Sequence, residues 1–125
     1  MTGDPYSERV RALFDAPAHA GVLEGSSMVT VDDQGVRVQL SADIGDGSIT
    51  AMRFLAWGCP HVIAAVEAVC ADYEGRAVSD LDVFRAAELM QSLAVPTEKS
   101  GRILVIEDAV RSLGAMLRGI SGSRH

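Results

Sequence analysis

Cysteine is scarce in this chain, with Cys59 and Cys70 the two among 125 residues. Two cysteines do not make the disulfide framework of a small secreted domain, so we expect an intracellular, reducing compartment and a cytoplasmic location. Aromatic residues are also few, at 5% of the chain. The predicted core therefore consists of Val, Leu, Ile, Ala and Met.

Basic residues are fewer than acidic residues, at 11 against 17, and the formal net charge is −6. This balance, with no basic cluster, argues against a dedicated nucleic-acid binder.

No apolar run reaches the roughly 18 residues of a membrane span. Residues 1–5 lack the basic region and apolar core of a secretory signal. We expect one domain over residues 1–125, with no nucleic-acid or membrane partner.

Three segments are predicted to be strands. Val36, Val38 and Leu40 alternate with polar residues, which is the period of a half-buried strand. Similar segments precede and follow it at Ser27–Val31 and Ile49–Trp57. Because the turns between them, residues 32–35 and 45–47, are short, the three strands should form an antiparallel meander with one face to be covered.

The other segments have the apolar spacing of helices. They are residues 4–17, 62–74, 79–96 and 103–120. Ser79 and Asp82 form a capping pattern at the start of the third segment. Glu107 and Arg111 form an i,i+4 pair on the outer face of the fourth. The predicted fold class is α+β, a three-stranded antiparallel sheet with helices packed on one face.

The candidate functional residues lie where the third predicted strand meets the helix that follows it. Gly58 permits a backbone bend, and Pro60 suits the first position of a helix. Cys59 should then be the N-cap, where the helix dipole favours the thiolate, which is the nucleophile and metal ligand. His61 could stabilise that anion or share a metal. Equally, Cys59 could be a plain capping residue and His61 a surface residue.

Two further residues are expected to be structural. Cys70 lies in the apolar stripe of the second helical segment, about three turns or 16 Å from Cys59, so the two cannot share a metal within one chain. We expect it to pack as a small hydrophobic residue. His19, in the predicted loop over residues 18–25, is expected to be an exposed surface residue.

Several motifs resemble one family along most of the chain. They are Pro5–Val10, Asp15–Pro17, Gly21, Arg53–Phe54, Trp57–Cys59 and Ile106–Val110. In order and spacing, over roughly residues 5 to 118, they resemble the iron–sulfur cluster assembly scaffold family, which includes IscU and the N-terminal domain of NifU. The resemblance implies an α+β scaffold that accepts sulfur from a cysteine desulfurase, assembles a [2Fe–2S] cluster and passes it to acceptor proteins. Such a protein is a carrier and not an enzyme.

The chain departs from the family at its ligands. The family uses three cysteines, helped by an Asp and often a His, and the resemblance assigns the middle cysteine to Cys59. The first cysteine position falls on Asp32 in the turn, and the third on Gly101-Arg102. The family's chaperone-recognition stretch corresponds to residues 95–99, of which Lys99 is kept.

Three arrangements remain open for a chain with one such cysteine. Asp32 or Asp33 with His61 could complete a mixed site with Cys59, suited to zinc or a single iron. Two chains could pair their Cys59 thiolates around one cluster as a homodimer. In the third arrangement the site is lost, and the protein is a regulatory module that docks on a cysteine desulfurase or another scaffold.

Arg102 bears on the choice among these arrangements. Its positive charge disfavours a cation and so favours a lost site. The same charge could instead stabilise a thiolate or persulfide on Cys59. A thiol-dependent enzyme with Cys59 as nucleophile and His61 as base is least favoured, because the sequence has no oxyanion-forming glycine cluster beyond Gly58.

Overall fold

The structure is a computed structural model, in which one helix is followed by three strands and then by further helices, as predicted. It describes residues 8–15, 17–23, 27–33, 35–58, 60–93, 95, 97 and 100–122. The helices are α1 (Glu8–Asp15), α2 (Pro60–Tyr73), a 3₁₀ helix (Val78–Val83), α3 (Ala86–Ser92) and α4 (Ser100–Gly122). The strands are β1 (Ser27–Asp33), β2 (Val36–Gly45) and β3 (Ser48–Trp57).

The three strands form an antiparallel sheet in the order β1-β2-β3. Alternation along β2 separates two faces: Val36, Val38 and Leu40 are buried, whereas Arg37 is exposed. Helix α4 packs against β1 and β2, and α2 packs against β3. This arrangement confirms the predicted α+β class with helices on one face of the sheet.

The core lies between the sheet and the helices and is built mainly from aliphatic side chains, as predicted. Ile103, Ile106, Val110 and Leu113 of α4 are fully buried, which confirms the helical spacing of that segment. Cys70 is also fully buried, as expected for a core residue. None of the described helices is long and apolar enough to cross a membrane.

The end of α2 is fixed to the sheet. Gly75 has a φ of +89°, the left-handed conformation that glycine adopts readily, and so ends the helix. Its N–H donates to the Ile49 carbonyl at 2.7 Å. The Ile49 N–H in turn donates to the Arg76 carbonyl at 2.9 Å. These bonds hold the C-terminal end of α2 beside the start of β3.

The predicted capping by Ser79 is wrong. Residues 78–83 form a 3₁₀ helix whose N-cap is Ala77, and no side chain caps it. Its hydrogen bonds are of the i→i+3 type, as in the bond that the Phe84 N–H donates to the Leu81 carbonyl. Helix α3 starts two residues later, at Ala86.

Side chains of α4 hold the junction between the 3₁₀ helix and α3. The Glu107 carboxylate accepts a hydrogen bond from the Ala86 N–H at 2.9 Å. Arg111 donates through Nε and Nη2 to the Phe84 carbonyl at 3.3 and 3.1 Å. The predicted ion pair between Glu107 and Arg111 is long, at 3.9 Å. Glu107 thus satisfies an N–H that the start of α3 leaves without an intrahelical partner, and Arg111 satisfies a carbonyl at the end of the 3₁₀ helix.

Loss of the Glu107 carboxylate should destabilise the protein. Glu107→Ala is expected to lower the free energy of unfolding by about 1–2 kcal/mol, the usual effect of removing a helix N-terminal cap. Urea denaturation measures this change. Asp108→Ala is the matched control, because Asp108 is exposed on the same helix, and its effect should stay within about 0.5 kcal/mol. Equal losses in both variants would contradict the capping role.

Candidate functional site

The turn after β1 and the junction after β3 lie at one end of the sheet. Arg37 of β2 pairs with Asp32 of β1 on one side and with Trp57 of β3 on the other. Helix α2 begins at Pro60, as predicted from its suitability for the first helical position. The sheet therefore brings Asp32, Asp33 and the start of α2 to the same end.

Close packing shapes the junction between β3 and α2. A Cβ added at Gly58 would lie 3.3 Å from Val62 side-chain atoms, so glycine permits the close approach of the first turn of α2. Cys59 lies outside the described residues, and its N-cap position stays a prediction. Lys99 also lies outside the described residues.

A row of three side chains crosses the open face of the sheet beside this junction. Arg37 donates to Asp32 Oδ2 from Nε at 3.1 Å and from Nη2 at 3.0 Å. The same guanidinium lies 5.9 Å from the centroid of the Trp57 ring. Trp57 is 52% exposed. Asp32 is therefore already engaged by a cation, on the face away from the helices.

Asp33 lies on the other face. It is paired with Val36, whose side chain is buried under the helices. Because successive residues of a strand point to opposite faces, Asp33 shares the face of α2 and α4 and Asp32 does not. The carboxylate of Asp33 is exposed. The strand register thus favours Asp33 over Asp32 as the aspartate of a site at the junction.

The two remaining predicted site residues differ in exposure. His61, the second residue of α2, is 1% exposed. Its interpretation as a surface residue is wrong, because the first turn of α2 packs into the core. Arg102 is exposed near the start of α4, the helix that covers β1 and β2. Within the described ranges, no group of three His, Cys, Asp or Glu residues is placed to hold a metal.

A second polar cluster, which sequence reasoning missed, lies along α2. Its centre is His19, which was expected to be a surface residue and is instead 17% exposed. Its Nδ1 lies 2.6 Å from Glu67 Oε2, and its Nε2 lies 3.0 Å from Glu74 Oε1. Arg53 Nη1 donates to Glu74 Oε2 at 2.6 Å, and so does the Met52 N–H at 2.8 Å. The signal in the sequence was a pair of glutamates seven residues apart, one within α2 and one just after its end, hence on the same side of the helix axis.

The cluster shifts the pKa values of its members. Burial alone would lower the pKa of His19, but hydrogen bonds and charge from Glu67 and then Glu74 outweigh it and raise that pKa above 6.5. Burial would raise the pKa of Glu74, yet hydrogen bonds from the Met52 N–H, Arg53 and His19 lower it below 4.5. For Cys70, burial and then the charges of Glu67 and Glu74 strongly raise the pKa, so this thiol stays neutral.

Comparison with known proteins places the chain in one family. Residues 5–118 match the NifU-like N terminal domain. The chain is 27% identical over 114 residues to an iron-sulfur cluster assembly scaffold protein IscU from Rickettsia prowazekii, with 86% of this chain and 87% of the relative covered. It is 25% identical over 114 residues to the IscU scaffold protein of Escherichia coli strain K12, covering 86% of this chain and 89% of that one.

A solved structure shares the fold. The crystal structure of the N-terminal part of a nitrogen-fixing NifU-like protein from Brucella abortus superposes with a TM-score of 0.68 at 16% identity. The match covers 86% of this chain and 90% of that one. The family match spans the sheet, the junction after β3 and most of α4. The chain therefore belongs to the NifU-like N terminal domain family, as the resemblance of its motifs predicted.

Proposed function

We propose that this protein is a scaffold-like carrier of iron–sulfur cluster assembly, with its cargo handled at Cys59. The observation that carries the proposal is the family match over residues 5–118, whose similar curated relatives are named as assembly scaffolds. The partners we infer are a cysteine desulfurase and cluster-acceptor proteins, in the cytoplasm. The role needs no turnover of a small substrate, and we infer a carrier and not an enzyme.

The metal-ligating side chains of one chain decide which cargo that chain can hold. Iron–sulfur clusters prefer several thiolates, and Cys59 supplies one. The other predicted ligands are Asp33 or Asp32, at the same end of the sheet, and His61. Because His61 is buried, a metal that it ligates would lie beneath the surface. We infer that a single chain holds sulfur or one iron, and that a [2Fe–2S] cluster as cargo requires Cys59 from two chains.

Sulfur acceptance needs only groups that the chain and a desulfurase supply. The Cys59 thiolate attacks the outer sulfur of a persulfide on the desulfurase. A bond forms between that sulfur and Cys59 Sγ, while the original sulfur–sulfur bond breaks and the desulfurase cysteine leaves as a thiolate. No external oxidant or reductant is consumed. The exposed guanidinium of Arg102 would favour an anionic persulfide if it lies near Cys59.

The two cysteines offer a direct test. The protein is incubated anaerobically with ferrous iron, a cysteine desulfurase and cysteine, then measured for added sulfur by intact mass, for visible absorption and for iron content. We expect one extra sulfur on the wild type and none on Cys59→Ala. Cys70→Ala should accept sulfur like the wild type, because the Cys70 thiol is buried and neutral.

The readouts separate the kinds of cargo. Visible absorption with iron in the wild type, lost in Cys59→Ala, would add cluster or iron binding to sulfur acceptance. Sulfur without iron would restrict the role to sulfur transfer. Unchanged sulfur acceptance in Cys59→Ala would overturn the proposal.

The two aspartates provide a matched pair for iron binding. Asp33→Asn should reduce the ferrous iron bound per chain at least several-fold, because Asp33 lies on the helix-covered face. Asp32→Asn should leave iron binding unchanged, because Arg37 engages Asp32 on the open face. Anaerobic titration with an iron chelator as competitor measures both. A larger loss in Asp32→Asn would instead support the ligand position that the family resemblance assigns.

A second candidate function is a docking module without cargo. The observation that favours it is Arg102, an exposed cation near the start of α4 at the position where the family has a ligand. Such a module would bind a desulfurase or another scaffold equally well with and without Cys59. Equal affinity of wild type and Cys59→Ala for the desulfurase, with no sulfur or iron retained by either, would establish this alternative.

A further inference from the structure

The His19 side chain lies between two carboxylates. Nδ1 faces Glu67 Oε2 at 2.6 Å, and Nε2 faces Glu74 Oε1 at 3.0 Å. Glu67 is 5% exposed, so water cannot readily replace His19 as its partner. Both nitrogens of one ring are thus committed to groups that, when ionised, only accept hydrogen bonds.

With both carboxylates ionised, this geometry requires a proton on each nitrogen. A neutral imidazole carries one N–H and one lone pair, and the lone pair would face a carboxylate oxygen at contact distance. The imidazolium form donates to both carboxylates. The other charged group of the cluster is Arg53 of β3, which binds Glu74, so two cations then balance two anions. The nearby Cys70 thiol is buried and neutral, and it adds no charge.

His19 also brings its own backbone segment against the sheet. Its N–H donates to Glu67 Oε1 at 2.7 Å. The Phe54 N–H donates to the His19 carbonyl at 3.0 Å, and the Gly21 N–H donates to the Phe54 carbonyl at 2.8 Å. Residues 19–21 therefore cover the outer edge of β3, pairing with it in parallel at Ala20 and Phe54.

We propose that His19 is a proton-dependent latch: the imidazolium holds residues 19–21 on α2 and on the edge of β3, and loss of its proton releases them. Release would free the backbone N–H and carbonyl of Phe54, which are groups that an unpaired strand edge offers to another chain. The device is separate from the cargo site, since Glu67 lies about 10 Å along α2 from Pro60 at 1.5 Å per residue.

The direction of the titration agrees with the geometry. The pKa of His19 is raised in the folded protein. A group with a raised pKa contributes stability that is fully present below its unfolded value, near 6.5, and is lost as the pH rises through the folded value. The latch should therefore be closed at mildly acidic pH and should open on the alkaline side of the folded pKa.

Two measurements on the wild type test the latch together. NMR titration gives the pKa of His19, assigned by its absence in His19→Gln. Hydrogen exchange then gives the protection factors of the Phe54 and Gly21 amides, with β2 amides as internal reference. We expect both factors to fall as the pH rises through the His19 pKa, by about tenfold for each unit that this pKa exceeds 6.5. The β2 amides should show no such fall.

Glu74→Gln provides the decisive variant. Its amide oxygen can accept from Arg53 and the Met52 N–H, as Glu74 Oε2 does, while its NH₂ group donates to a neutral His19 Nε2. The latch should then stay closed above the wild-type His19 pKa. His19→Gln lacks a titrating group at this position. In this variant the backbone amides of Phe54 and Gly21 should be weakly protected at every pH.

Several results would contradict the proposed latch. These are a His19 pKa at or below 6.5, amide protection in the wild type that does not change with pH, or a Glu74→Gln variant that opens with pH as the wild type does. A variant that fails to fold leaves the wild-type titration and exchange data to decide the question.

Discussion

Hydrogen bonding of β2 to strands on both sides is the constraint on which the rest of the structure depends. Because Arg37 pairs with Asp32 and Trp57 at once, the turn after β1 and the end of β3 must meet at one end of the sheet. The alternation along β2 then assigns every neighbouring side chain to the covered or the open face. One residue of slippage would exchange the positions of Asp32 and Asp33 relative to the helices.

We expect opposite chemistry from the two cysteines at and before helix α2. Cys59 precedes Pro60, the first residue of the helix, and the dipole at a helix N-terminus favours negative charge. Cys70 lies in the core beside the carboxylates of Glu67 and Glu74, which oppose ionisation of its thiol. The proposed nucleophile and an inert thiol are thus separated by the length of one helix, along which burial and local charge change.

Apolar periodicity and motif order were enough to predict the α+β class, the meander and the family. They were not enough for His19, because its partners lie 48 and 55 residues away and a single sequence does not say which loop meets which helix face. The face of the sheet on which Asp33 lies depends on how far the pairing of β1 with β2 continues into the turn. The turn-forming residues of the sequence do not indicate where that pairing stops. Glu107 and Arg111 have ideal spacing for each other, yet the backbone ends of the neighbouring helices are stronger partners.

The row on the open face of the sheet has an optical consequence. Trp57 is the single tryptophan of the chain, it is half exposed beside the guanidinium of Arg37, and it stands two residues before Cys59. Its fluorescence therefore comes from this one end of the sheet. Iron, sulfur or a partner arriving there would change the quantum yield or emission wavelength of an intrinsic probe, without any label attached to the protein.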